Sequence, residues 1–240
     1  MNFKEFIKYE LNGWKKHEII GLSLVFAVIF INAVFFKDSI AAVISAIFGI
    51  LYTTLAGKGK ISCYFFGLIG TSFYSYLSLK NVLYGNLFLY AGYYLPMQIL
   101  GIFEWKKHLK SSTKEIVKTS LSAKQTVILF CTTFIVCVAV IFVLAYFKDS
   151  SPVFDGITTV LSVVGMYLTV RRCIEQWVVW MIVNGLSSLM WLNLIIHGAK
   201  AYSTLVMWLV YFVLAVYFFF VWKKEMNDNK IIQNERAGIK

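Results

Sequence analysis

Two stretches of this 240-residue chain gather side chains able to hold a small polar molecule. The first is Glu175-Gln176-Trp177-x-x-Trp180-x-x-x-Asn184. Trp180, Asn184, Ser187 and Trp191 stand at i, i+4, i+7 and i+11, one face of a helix, and Trp177 extends that face by nearly a turn. The second is Tyr94-x-Pro96-x-Gln98-x-x-Gly101-x-x-x-Trp105, a similar stripe. An indole stacks on a flat heteroaromatic ring and tolerates a cationic one. A carboxamide hydrogen-bonds hydroxyls and amides. Both stretches lie in apolar runs, where a buried Asn or Gln is costly unless bonded. Gln98 and Asn184 therefore either face a ligand or tie helices together.

Other chemistry is missing. No acid–base pair, nucleophile or metal set lies within the apolar runs, so an enzyme is not expected, nor a cofactor. No Walker A loop offers ATP as a drive. All twelve Asp and Glu fall at run ends or in loops, so the relays of ion-coupled carriers are lacking. Asp38 and Asp155 read as helix starts, where a carboxylate meets the positive end of the dipole. Cys63, Cys131, Cys137 and Cys173 form no C-x-x-C pair and read as small buried hydrophobes. What remains is a facilitator of a neutral or weakly charged ligand.

The elements that must position these residues are membrane helices. Hydrophobic residues make up 59% of the chain and charged ones only 15%. A soluble fold of this size cannot hide that much apolar surface. Eight runs match the length of a bilayer-spanning helix: 19–36, 40–57, 61–79, 82–103, 126–147, 155–172, 176–197 and 203–222. The first lacks an A-x-A-like cleavage site and reads as an uncleaved span. With the N-terminus inside, 19 of the 23 Lys and Arg fall in inside segments and 4 in outside loops. That split puts both termini in the cytoplasm. It also accounts for the net charge of +11 without nucleic acid as a partner. Residues 1–18 are expected to lie as a helix in the lipid interface, and the polar tail from 225 to fray. Trp14, Trp105 and Trp222 each stand near lysine at a cytoplasmic edge and read as interfacial belt residues. Pro96 should kink its span and free backbone carbonyls.

A shift of 117 residues aligns 38–107 with 155–224 without a gap. It matches Asp38, Ser45, Tyr94 and Trp105-Lys106-Lys107 with Asp155, Ser162, Tyr211 and Trp222-Lys223-Lys224. Each copy holds three spans and one span separates them, so both copies face the same way. Such transporters bind at the repeat interface near the midplane. The chain then divides into 1–37 (interfacial segment and extra helix), 38–107 (first repeat), 108–154 (loop and linker helix), 155–224 (second repeat) and 225–240 (tail). A pseudo-symmetric pair must diverge where it grips an asymmetric ligand. The divergent pairs are Lys60/Trp177, Cys63/Trp180, Gly67/Asn184, Gln98/Ala215 and Leu100/Tyr217. Tyr94, by its face, and Tyr217, by this asymmetry, join the candidate site.

The W-x-x-W-x-x-x-N stretch, the P-x-Q-x-x-G-x-x-x-W stretch and the three-one-three arrangement resemble the PnuC family of bacterial vitamin transporters. The resemblance covers about 38–224. It implies an all-α inner-membrane protein of eight transmembrane helices, a full-length relative of the SWEET carriers with one added N-terminal helix. It further implies homotrimers, facilitated diffusion of nicotinamide riboside, and trapping by a separate cytoplasmic ribosylnicotinamide kinase. Trp177, Trp180, Asn184 and Gln98 then take the role of substrate ligands. Sister branches carry thiamine or other vitamins, and a non-transporting receptor would use the same residues.

Overall fold

The computed structural model describes residues 9–10, 12–36, 39–80, 87–109, 115–148, 152–197 and 202–236. Among them lie eight α-helices: α1 (Lys16–Phe36), α2 (Ile40–Gly57), α3 (Cys63–Lys80), α4 (Leu95–Lys106), α5 (Ala123–Tyr146), α6 (Pro152–Val170), α7 (Glu175–Ile196) and α8 (Tyr202–Arg236). A π-helical segment, Phe88–Tyr94, leads into α4 without a break. The eight runs read from the sequence correspond to these elements. Asp38 and the side chain of Trp191 lie outside the described residues.

Five stretches are long and apolar enough to cross a bilayer: Lys16–Phe35, Ile40–Gly57, Ala123–Tyr146, Pro152–Val170 and Leu205–Asn229. α4 falls short of that mark by length, with 12 residues of its own. α3 and α7 are long enough but carry polar side chains, Ser75, Ser78, Asn184, Ser187 and Ser188, all buried in the bundle. α5 shows the opposite pattern. It buries none of its residues, and its Phe130, Phe134 and Phe142 are 71%, 62% and 71% exposed. Only lipid or another protein surface can solvate such a helix.

α2 packs on α3, and α7 on both α6 and α8. α8 then meets α2, and α4 meets α6, which joins one group of three helices to the other. α5 docks on α6, while α1 leans on α2 and α8. The turns at one end are tightly specified. Gly59 adopts φ +69°, and the Lys60 N–H reaches back to the Leu55 carbonyl at 2.9 Å. This left-handed exit terminates α2. α6 ends similarly, but with Arg172 at φ +62°. Residues 115–122 thread between these turns. The Ile116 N–H bonds the Gly59 carbonyl at 3.0 Å, and the Thr119 N–H bonds that of Arg172 at 3.0 Å. Ser122 and Gln125 then form a capping box that starts α5. This end carries Lys58, Lys60, Lys118, Arg171, Arg172 and Lys223, and is called the basic end below.

Four expectations are corrected. Pro96 does not sit in a simple kink. It follows the π segment, in which the Leu95 N–H bonds the Tyr90 carbonyl, so the chain widens by local rewinding. The polar tail does not fray at 225. α8 continues to Arg236, because no Gly or Pro interrupts it and Glu225 pairs with Lys118. Trp105 and Trp222 are fully buried, not at a lipid edge. Their indoles donate to the carbonyls of Thr169 (3.1 Å) and Gly57 (2.6 Å). Finally, the described part of 1–18 folds back over the basic end, with Trp14 against the hydrophobic core. Buried polar groups there outbid the lipid interface: Lys60 has 1% exposure and needs partners.

Candidate functional site

The joined helices surround a chamber of about 130 Å³. α2, α3, the π segment, α4, α6, α7 and α8 all contribute to its wall. Gln98, Trp177, Trp180, Asn184 and Tyr94 all line it. Tyr217 does not. Its hydroxyl donates to Glu18 at 2.9 Å, beyond the chamber's floor. Sequence asymmetry marked it as different between halves, but could not say which way α8 turns it.

One wall is aromatic. Tyr74 and Tyr90 lie 4.2 Å apart between ring centroids with planes tilted by 33°. Tyr90 meets Tyr94 at 4.8 Å, and Tyr94 meets Trp180 edge-on at 6.5 Å. The π segment sets this wall, because its wider winding carries Tyr90 and Tyr94. Trp180 is held by a 3.2 Å bond from its indole N–H to Thr169 Oγ1. Gly165 makes room for it, since a Cβ there would stand 2.9 Å from the indole.

The opposite groups are polar and only partly satisfied. Gln98 Nε2 donates to Thr71 Oγ1 at 2.8 Å, while its Oε1 is buried without a partner among the described residues. The carboxamide of Asn184 has no hydrogen bond to the protein among the described residues. At its repeat-equivalent position stands Gly67, where a Cβ would meet Tyr52 at 2.6 Å and Gln98 Oε1 at 3.1 Å. The missing side chain is what lets Gln98 reach inward. Trp177 forms the floor. It stacks on Phe218 at 5.4 Å and 32° and meets Trp222 edge-on at 5.6 Å. Its indole N–H is buried and unpaired among the described residues. Unpaired buried polar atoms cost of order 1–3 kcal/mol each, a cost that a ligand's own donors and acceptors can remove.

No Lys, Arg, Asp or Glu lines the chamber among the described residues. The charges gather below it. Lys60 Nζ donates to the carbonyls of Tyr9 (2.7 Å), Glu10 and Asn12 (2.9 Å). Burial pushes the Lys60 ammonium below its ordinary value, with Glu10 opposing. Burial likewise raises the Glu10 carboxyl, against its bond from Ser62 and the charge of Lys60.

Sequence reasoning did not single out Tyr52, Thr71, Tyr74, Tyr90 or Thr169 as site residues, though all line the chamber. A signal existed in the repeat. Tyr52/Thr169, Ser45/Ser162, Tyr90/Met207 and Tyr94/Tyr211 are each 117 apart, and both members of every pair line the wall.

A family described as nicotinamide mononucleotide transporter matches residues 39–224. The nicotinamide riboside transporter PnuC of Neisseria mucosa is 32% identical over 217 residues, covering 88% of this chain and 82% of that protein. The PnuC of Haemophilus influenzae is 32% identical over 216 residues, covering 89% and 92%. A crystal structure of the vitamin B3 transporter PnuC superposes with a TM-score of 0.81 at 30% identity, covering 93% of this chain and 97% of the other. With the family pattern spanning most of its length and relatives this similar along nearly all of it, the chain belongs to the PnuC family of membrane transporters.

Proposed function

We propose that this protein carries nicotinamide riboside across a bacterial inner membrane by facilitated diffusion. The observation that carries the reading is the chamber: uncharged, aromatic on one side, with unpaired buried Gln98 Oε1 and Trp177 Nε1 on others. A pyridinium ring suits Tyr90, Tyr94 and Trp180 by stacking and cation–π attraction. A carboxamide and ribose hydroxyls suit Gln98, Asn184 and Trp177. The family description names a mononucleotide, and the relatives' names a riboside. The chamber favours the riboside. A phosphate there would be buried with no cation among the lining residues, which is costly in a medium of low dielectric.

The protein has eight spans in this reading, with the basic end and both termini in the cytoplasm. Residues 38–107 and 155–224 form parallel repeats around the linker helix α5. The wall-lining pairs 117 apart support that arrangement. The repeats rock about the site. Without an ion relay or ATP site, transport is downhill, and phosphorylation by a cytoplasmic kinase retains the product. The family resemblance suggests a homotrimer, and α5, none of whose residues is buried, leaves surface for one.

Calorimetric titration of the detergent-purified protein tests the reading. Nicotinamide riboside is expected to bind, and nicotinamide mononucleotide and thiamine at least about a hundredfold more weakly, as a buried unpaired charge implies for the first. Binding of thiamine alone would move the protein to a sister branch. Flux into proteoliposomes separates a carrier from a receptor.

A further inference from the structure

Beneath the chamber, Trp177, Phe218 and Trp222 close the path toward the basic end. Beneath those rings the N-terminal segment crosses. Lys60, on the α2–α3 turn, holds it by three backbone carbonyls, and Glu10 Oε2 accepts from Ser62 at 2.7 Å. Lys58 Nζ donates to the Gly13 carbonyl at 2.8 Å and lies 4.8 Å over the Trp14 ring. Glu18, at the start of α1, is the knot. Its Oε2 accepts from Lys58 Nζ at 2.7 Å and from the Lys15 N–H at 2.8 Å. Its Oε1 accepts from the Tyr217 hydroxyl at 2.9 Å, and His17 Nε2 stands 3.2 Å from the same hydroxyl. Only 9% of the Lys58 and Glu18 side chains is exposed.

The geometry is specific. Lys58 belongs to the first group of three helices and Tyr217 to the second, facing each other across the seam where α2 meets α8. One carboxylate bridges that seam from a segment belonging to neither group. Tyr217 also touches Phe218, at 5.0 Å between ring centroids, so Glu18 is two side chains away from the chamber floor. A bundle that opens at this end must part Lys58 from Tyr217, and so must break one arm of the Glu18 bridge.

We propose that residues 9–10 and 12–18 are a clasp over the chamber's basic end, with Glu18 as the positioning residue that sets how readily that end opens. The proposal rests on the chamber being a transport site. Releasing the clasp lets the two helix groups separate at this end, uncovering the floor and the residues under it. The divergence between repeat-equivalent positions then acquires a second meaning. Lys60 anchors the clasp where the other half places Trp177, the floor itself.

Cys63 provides a reporter that needs no ligand. It is fully buried and adjoins Ser62, whose hydroxyl donates to Glu10 of the clasp. Cys173, 5% exposed in the α6–α7 turn, is the comparator. Proteins retaining Cys63 alone or Cys173 alone, with the other cysteines changed to Ser, are reconstituted and treated with a membrane-impermeant maleimide from the basic side. Glu18→Ala and Tyr217→Phe are each expected to speed labelling of Cys63 at least about tenfold, the scale of one hydrogen bond to a charged group. Labelling of Cys173 stays within about twofold, well below that scale, and Glu18→Gln, which keeps an acceptor, falls between. Tyr217→Phe removes a single oxygen and carries the test if Glu18→Ala does not fold. Unchanged Cys63 labelling in the folded variants overturns the proposal. Equal acceleration at both cysteines also overturns it, since that reports general loosening. Flux of nicotinamide riboside is measured in the same vesicles. Selective Cys63 exposure without any riboside flux would leave the clasp standing and remove the transport reading.

Discussion

At the scale of residues, the chamber's character comes from which polar atoms the protein leaves unpaired. Trp180 and Gln98 Nε2 are committed to Thr169 and Thr71. Those bonds fix the orientation of groups whose other faces stay free. Among the described residues, Gln98 Oε1 and Trp177 Nε1 have no hydrogen-bond partner despite full burial. Asn184→Ala and Gln98→Leu test whether these groups serve a ligand. Each is expected to weaken riboside binding by about ten- to a hundredfold, the value of one buried hydrogen bond to a polar or charged partner. The thermal midpoint should move little for Asn184→Ala, whose carboxamide supports no other side chain here. Calorimetry beside a thermal melt separates the two effects. Normal binding by both variants would assign the amides to interhelical bonding alone. The tryptophans teach the converse. Lysine beside Trp105 and Trp222 suggested a lipid edge, but both indoles are buried and donate to backbone carbonyls across helices. Neighbours in sequence cannot report that, because the partner carbonyls lie 64 and 165 residues away.

At the scale of elements, close helix approach depends on small residues. A Cβ at Gly70 would lie 3.0 Å from the Gly49 backbone nitrogen and 3.3 Å from Phe48. The same contact lets Ser45 Oγ donate to the Gly70 carbonyl at 3.2 Å. Membrane helices associate through such packing, without a hydrophobic drive between them. Gly70→Val is therefore expected to force α2 from α3 and cost about 1–3 kcal/mol, as overpacking does. A lowered midpoint in detergent, with riboside affinity falling alongside, is the measurable result; an unchanged midpoint would mean that the helices yield freely. Element positions were legible in the apolar runs, since bilayer thickness dictates span length. The π segment was not. Pro96 announced a disturbance, but i→i+5 winding depends on the packing of Tyr90 and Tyr94 against Tyr74 and Trp180.

At the scale of the molecule, two helix groups meet along α2–α8 and α4–α6, with the chamber between them. Under the facilitated diffusion proposed above, the carrier equilibrates its ligand and does not concentrate it. Riboside uptake into proteoliposomes is expected to level at equal inside and outside concentrations. Ionophores that collapse proton or sodium gradients should change its rate by less than about twofold, because the Asp and Glu of the sequence all fall at run ends or between the apolar runs. A clear dependence on either gradient would demand an ion site. By itself the sequence determined the solvent, the count and rough places of the helices, the charge asymmetry of the segments between them, and the two stretches whose side chains line the chamber. These are local or periodic properties, set by hydropathy and by 3.6-residue spacing. Only the tertiary structure decided which side of each helix faces the chamber, which polar atoms remain unpaired, and that Tyr217 belongs to Glu18 and not to the site. Those depend on helix rotation and on contacts nearly 200 residues apart, which no pattern along one strand of chain encodes.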